Sequence, residues 1–446
     1  MSEPRGRLLN ILGVAFGLAG AVGGTIGGGI LRTPGLVAGE LASGPLSLIA
    51  WLVGGLYGLL GAICVAELAA SLPRSGGWTV YARRAFGDGA GFAVGWTDWL
   101  GHCAGVAWVA ITAGDYTLAL FPGLPLDSRA LALLMVLLFT AIQLLGVRAG
   151  SGSQLLLSLA KTVGFLLLVG ACFLLADPVR EGAAAPSLAP PVGLEAAAAW
   201  VLALQAIIST YDGWHSPIYF AEEFAEPSKD LPRSLIGGVL AVIALYLLIN
   251  LALLRVLPLA DLAGSTLPLA DAALRLFGAV GGQLITALAL VSVLGLVNTS
   301  ILSAPRVLYA LARDGLFPSA AAQVSQGGTP TVALLLTSLT MALLVALADF
   351  PVLLAIASFL YVVLYGSGIL ALFVLRQREP ELERPVRAWG HPWSGLIVLA
   401  GSLAFLIGAL LGDRSHSLMA LALMGAAVPL YLLSRRLGLQ QQAAGS

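Results

Sequence analysis

Polar residues along this chain are sparse and clustered, and between the clusters run long apolar stretches. A helix needs roughly 20 apolar residues to cross a bilayer, and cutting the chain wherever Pro, Gly and charge gather leaves twelve such segments. Their approximate limits are residues 8–40, 46–71, 91–120, 129–147, 153–176, 196–222, 233–257, 279–312, 331–349, 351–375, 393–411 and 417–434. Asp349-Phe350-Pro351 divides the ninth from the tenth, because one helix of about 45 residues exceeds a single crossing. Residues 71–86, with Trp78, Tyr81 and Phe86, form an amphipathic stretch too short to span, predicted to lie along the membrane interface. Residues 181–193, rich in Ala and Pro, read as an extended loop.

Two of the twelve segments are interrupted in their middles, at Gly27-Gly28-Gly29 and at Asp212-Gly213-Trp214. A helix broken within hydrocarbon leaves amides and carbonyls without partners, which is tolerated only where they line a cavity or grip a ligand. Paired interruptions at corresponding places in two halves are the pattern of a secondary transporter. Alternate segments reverse direction, so the first five (8–176) and the next five (196–375) enter from opposite sides and predict a five-plus-five inverted repeat, followed by 393–434. The expected fold class is an all-α membrane protein of twelve transmembrane helices, forming one integral membrane domain.

Composition agrees with that plan. Of 446 residues 59% are hydrophobic and only 10% charged, with a mean hydropathy of +0.94, far more apolar surface than a soluble core buries. Lys+Arg and Asp+Glu balance at 23 each, which gives no argument for nucleic acid as a partner. Most cations, among them Arg5, Arg7, Arg74, Arg83, Arg84, Arg306, Arg313 and Arg376, fall on one side of the plan, and few, such as Arg129 and Arg180, on the other. The positive-inside rule then puts both termini in the cytoplasm, and the chain is expected in a bacterial inner membrane with its first helix uncleaved. Cys64, Cys103 and Cys172 are dispersed in apolar stretches and read as small core residues rather than a disulfide or zinc framework. The four histidines are scattered and no phosphate loop appears, so neither an enzyme, a cofactor nor a metal is expected.

An ordered set of motifs carries a resemblance. Gly24-Thr25-Ile26-Gly27-Gly28-Gly29-Ile30-Leu31-Arg32-Thr33-Pro34-Gly35 opens it, followed by Ala66-Glu67-Leu68 with Pro73 to Gly77, then Tyr211-Asp212-Gly213-Trp214 with Glu222-Glu223 and Pro227. Arg306 with Tyr309 to Gly315 and Pro318, then Arg384-Pro385 and Gly390-His391-Pro392, complete it. Together these resemble the amino acid–polyamine–organocation superfamily, nearest to its L-type amino acid transporter-like and bacterial permease branch. The resemblance implies the leucine-transporter fold and an α-amino acid as substrate, with a coupled proton or a counter-substrate as partner. Gly28 departs from it, standing where relatives often carry Ser, and so does Ser209, which occupies the place of an aromatic lid.

Candidate binding residues follow from the breaks: Ile26, Gly27, Gly28, Gly29 and Ile30 in the first, and Ser209, Tyr211, Asp212, Gly213 and Trp214 in the second. Amides that open a half-helix suit a carboxylate, and carbonyls that close one suit an ammonium. Asp212 has four open readings: partner of the substrate amine, carrier of a coupled proton, selector of cationic substrates, or cap of the helix restarting at Gly213. His215 reads as a packed or hydrogen-bonded residue. Lys161 lies too deep to snorkel, and its position resembles a lysine that sodium-independent relatives set against the first break in place of a sodium ion. Its expected contacts are carbonyls near Gly24 to Gly27. Trp108 is a gating candidate, as are Glu67 and Arg74, which with Arg306 and Arg313 suggest one inner charge network. Arg32 is expected to pair with Glu40 or Asp115, and Ser292, Asn298 and Thr299 to make helix-to-helix hydrogen bonds. The leading expectation is a sodium-independent amino acid permease working by alternating access, with a polyamine or cationic amino acid transporter, a channel and a non-transporting nutrient receptor as rivals.

Overall fold

The computed structural model describes residues 7–176 and 189–444, and within them every regular element is helical. Arg5, Arg180 and positions 181–188 of the proposed loop lie outside the described residues. The first apolar segment folds as α1 (Val14–Thr25) and α2 (Gly29–Leu41), bent by 51° at the glycine run. Then come α3 (Gly44–Ser71), the short α4 (Trp78–Phe86), α5 (Asp88–Leu120), α6 (Ser128–Leu144) and α7 (Val147–Leu175). The second broken segment is α8 (Gly193–Thr210), an irregular stretch over 211–215 and a 3-10 helix over Ser216–Glu223. After it run α9 (Pro227–Val256), α10 (Leu259–Gly264), α11 (Pro268–Phe277), α12 (Ala279–Arg313), α13 (Thr331–Leu347), α14 (Phe350–Arg378), α15 (Trp393–Gly412), α16 (Arg414–Gly425) and α17 (Ala427–Ala444).

Local chemistry explains many of the boundaries. Ser43 caps α3 by accepting from the Leu46 amide at 3.4 Å, and Asp127 caps α6 by accepting from that of Ala130 at 2.8 Å. Pro227 and Pro351 sit in first turns, where an N–H has no partner to lose. Leu347 and Phe350 end and begin separate helices, as the Asp349-Phe350-Pro351 signal predicts. Among the described residues nine helices are long and apolar enough to cross a bilayer, ten counting the bent pair, and Ser128–Leu144 and Thr331–Leu347 are shorter apolar helices. The molecule is an all-helical, multi-pass membrane protein.

Short helices also pack into the bundle. The short α4 packs against α5 and α14 with Trp78 and Tyr81 fully buried, while Phe86 is exposed. Between α9 and α12, α10 and α11 form and pack on α2, which places a helical cover over the far half of the first broken segment. Arg32 forms no ion pair with Glu40 or Asp115 among the described residues; Asp115 instead accepts from Ser128.

Long helices frame the centre. α5 and α12 lie against each other, α1 lies between α7 and α9, and α2 packs on α8, so both breaks are enclosed by continuous helices. Side chains rather than hydrophobic force bind these helices, because lipid is as apolar as they are. Gln143 donates to Asn298 at 2.8 Å, Asn298 donates to Gln154 at 2.8 Å, and Ser158 donates to the Ala19 carbonyl at 2.7 Å, joining α6, α12, α7 and α1. The hydroxyl of Ser292 bonds within its own helix.

Candidate functional site

The two breaks meet backbone to backbone. Gly213 has φ +105°, and a Cβ added there would lie 2.1 Å from the Gly24 carbonyl oxygen; one added at Gly24 would lie 2.6 Å from the Gly213 oxygen. Only glycine supplies both that conformation and that approach. At Ile26 the backbone turns extended (φ −76°, ψ 103°) and ends α1. The amides of Gly27, Gly28 and Gly29 then donate to no protein oxygen among the described residues. They stand at the positive end of α2, the arrangement that binds anions.

Four carbonyls at the ends of the broken helices are already engaged. Lys161 Nζ, fully buried, donates to Gly23 O and Ile26 O at 2.7 Å each and lies 3.3 Å from Ser292 O on α12. Ile26 falls within the Gly24 to Gly27 stretch that the sequence suggests, and Gly23 lies one residue before it. The Tyr246 hydroxyl, reaching in from α9, stands 3.2 Å from both Thr25 O and Thr210 O, the last carbonyls of α1 and α8. Thr33 and Thr210 share a hydrogen bond at 2.7 Å, tying α2 to α8. Nothing in the sequence pattern marks Tyr246, since an apolar helix with one tyrosine looks like any other.

A cavity of about 140 Å³ lies at the junction. Gly27, Gly28 and Gly29 line it from the first break, and Ser209, Asp212 and Gly213 from the second, with Trp108, His215 and Thr299 around them. Four of the proposed binding residues are absent from its wall. Ile26 and Ile30 are fully buried. Tyr211 turns to Trp51, donating to its carbonyl at 3.3 Å, and Trp214 stacks on Tyr365 with ring centroids 5.7 Å apart. Trp108 does stand at the cavity, its ring 5.8 Å from that of Phe350.

Asp212 is not a helix cap. The restarted helix begins at Ser216 and receives no side-chain hydrogen bond from its cap position, His215, while Asp212 Oδ1 is buried with no partner. His215 is packed as expected, its Nδ1 3.0 Å from the Tyr365 hydroxyl. A second, more apolar cavity of about 290 Å³ between α8, α14 and α15 shares Ser209, Asp212 and Tyr361 with the first. Sequence reasoning missed His102 and Tyr361 in the central wall; an i, i+4 pairing of Asp98 with His102 on one helix face was the available signal.

The proposed inner charge network is three separate sets. Asp314 accepts from Arg74 at 3.0 Å and Arg83 at 2.7 Å, and Arg313 joins it to Glu222. Arg306 makes a buried two-pronged pair with Glu223, at 2.5 and 2.9 Å, and its guanidinium lies 4.2 Å from the Phe220 ring. Glu67 meets none of these; it pairs with Arg376 and Arg384 and accepts from the Ala388 amide at 2.6 Å. The chain entering α1 is fastened to the same end, with the Ile11 and Leu12 amides donating to Glu223 O at 3.0 and 2.8 Å.

Two broken helices that meet over a shared cavity, in a chain of long apolar helices, define a helical membrane transporter. Within that class, a family model described as amino acid permease matches residues 8–428, and the chain belongs to that family, part of the amino acid–polyamine–organocation superfamily. It is similar to a serine/threonine exchanger of Bacillus subtilis, 28% identical across 94% of this chain and 95% of the relative. It is also 30% identical to the large neutral amino acids transporter small subunit 2 of Mus musculus, over 92% of this chain and 78% of that one. The Asc-type amino acid transporter 1 of Mus musculus is 31% identical over 82% of this chain and 70% of its own. The chain is an amino acid permease.

Proposed function

We propose that the chain is a sodium-independent amino acid transporter that works by alternating access, with its substrate held between the two breaks. The observation that carries this reading is the pairing of free Gly27, Gly28 and Gly29 amides with the unpartnered Asp212 Oδ1 on one cavity wall. The α-carboxylate takes the amides. The ammonium takes Asp212, because Lys161 already places a cation on the carbonyls that end α1 and repels a second one there. Lys161 fills the place a sodium ion would need, and through Gly23 and Ile26 it couples α7 to the break. Trp108 serves as a gate on one side, and the ion-paired end bearing Glu67 and Arg74 as the other.

In architecture, the reading takes twelve crossings, and the nine long helices, one bent pair and two shorter apolar helices among the described residues support it. The first ten form the inverted repeat of the leucine-transporter fold, with both termini on the cytoplasmic side of a bacterial inner membrane. An exchanger among the relatives makes counter-substrate exchange the first mode to test.

A thermal-shift screen of amino acids on the purified protein, followed by counterflow in proteoliposomes with each hit, tests the function. Stabilisation that rises with ligand concentration and saturable counterflow are expected. Binding without counterflow makes the chain a receptor, and neither result leaves the reading standing. Asp212 Oδ1, buried without a partner, favours a second reading in which the side chain of the substrate is also cationic. If so, Asp212→Asn abolishes lysine counterflow while sparing neutral amino acids; wild-type protein without lysine counterflow removes this reading.

A further inference from the structure

Asp98 stands on α5, about 15 Å along the helix from Asp88 at 1.5 Å per residue, and is fully buried. Its Oδ1 accepts the Tyr219 hydroxyl at 2.8 Å and lies 3.1 Å from His102 Nδ1. Its Oδ2 has no partner, and among the described residues no Lys or Arg pairs with it. The same Nδ1 stands 3.0 Å from the Asp98 backbone carbonyl, which can only accept. Nδ1 therefore carries a hydrogen, and Nε2 is the atom of His102 free to gain or lose a proton. The imidazole lines the central cavity beside Asp212, His215 and Tyr361, so a proton can reach it from the water that the cavity admits.

With His102 neutral, the pair buries one uncompensated negative charge in a membrane interior. With one added proton it becomes an imidazolium–carboxylate pair of zero net charge. The first state needs water near it, whereas the second tolerates a closed, dry site. We propose that Asp98 and His102 form a proton-binding site that loads one proton from the cavity with each substrate, which makes this permease a proton-coupled symporter. The inference rests on the reading of the chain as an amino acid transporter and adds the coupled ion and its seat. A hydronium in the cavity gives its proton to Nε2, and no other bond changes. Tyr219 belongs to the 3-10 helix that follows the second break, so its bond to Asp98 joins the proton site to the part of the molecule that holds the substrate.

Other charged and titratable groups around the pair are few. From the second break come Asp212 and His215, from the 3-10 helix Tyr219, from α14 Tyr361, and from α4 Tyr81. α13 carries none, Arg129 of α6 pairs with Asp349, and α12 has none before Arg306, which is committed to Glu223. Asp212 is assigned to the substrate amine, which leaves Asp98, connected to the cavity through His102, as the acid whose charge no substrate group offsets.

The test uses the full-length protein in proteoliposomes, with radiolabelled serine, leucine and lysine as probes. For each, net uptake under an acid-outside pH gradient is divided by counterflow at uniform pH. Wild-type protein is expected to gain several-fold in gradient-driven uptake, with solute-evoked proton entry visible to a trapped pH dye. Asp98→Asn and His102→Gln are expected to lower the ratio to the no-gradient level and to abolish the dye signal. If one variant does not fold, the other carries the test. Counterflow in wild-type protein without gradient stimulation, or stimulation that survives either substitution, overturns the proton site alone. Absence of counterflow with every probe overturns the transporter reading beneath it.

Discussion

The first break presents bare backbone between Ile26 and Ile30 and is held from outside by Lys161, whereas the second carries Asp212, Trp214 and His215 and is held by what those side chains themselves touch. Both solve the same problem, a helix opened inside hydrocarbon. The first leaves three amides free and aims them at the cavity. The second spends its freedom on rotation: Gly213 at φ +105° turns Trp214 to Tyr365 and leaves Asp212 at the junction. One break therefore offers polar backbone that any amino acid can use, and the other offers chemistry that distinguishes among them. Tyr246 is shared by both, so the breaks are expected to move as one body.

The largest expected effect tests the contact between the breaks. Gly213→Ala forces a methyl to within 2.1 Å of Gly24 O at a φ that L residues avoid, where strain alone costs on the order of 1–3 kcal/mol. Loss of counterflow together with a clear fall in Tm in detergent is expected. A variant with wild-type Tm and counterflow would show that the breaks do not rest on each other.

Next in size is the external clamp on the first break. Lys161→Ala leaves the Gly23 and Ile26 carbonyls without their charged donor, a bond class worth about 1.5–3 kcal/mol, and about tenfold or more should be lost from counterflow. Adding sodium should not restore it. Wild-type affinity and turnover in that variant would remove Lys161 from the mechanism, and rescue by sodium would show that the site still accepts an ion.

Several of these features are legible in the sequence because they depend on composition alone. A triple glycine or an Asp-Gly-Trp inside an apolar run marks a break whatever surrounds it, and a lysine deep in a span must find oxygens. What depends on rotation about an irregular segment is not legible: Tyr211 and Trp214 look like pocket residues until the turn at Gly213 carries their rings to Trp51 and Tyr365. Partner choice across long separations is likewise hidden. Glu67 has several arginines near its end of the molecule, and only the packing of α3 against α14 decides for Arg376 and Arg384 over Arg74. Asp98 and His102 escaped notice for a different reason, since an i, i+4 polar pair on a membrane helix resembles ordinary intrahelical bonding until the cavity beside it is seen.

The smallest expected effect separates the two kinds of glycine in the breaks. A Cβ built at Gly28 meets nothing within 4 Å, in contrast to Gly213, because Gly28 faces the cavity rather than its neighbour. Gly28→Ser should therefore fold with an unchanged Tm. Its hydroxyl would enter a space of about 140 Å³ and add one hydrogen-bonding group beside the free amides. A few-fold change in KM is expected, since one polar contact in a closed site is worth about 1 kcal/mol. The direction should depend on substrate: lower KM for serine, higher for leucine, whose larger side chain competes for the same volume. Were the Tm to fall as it does for Gly213→Ala, Gly28 would be a packing glycine and the first break would lose its claim to a free backbone face.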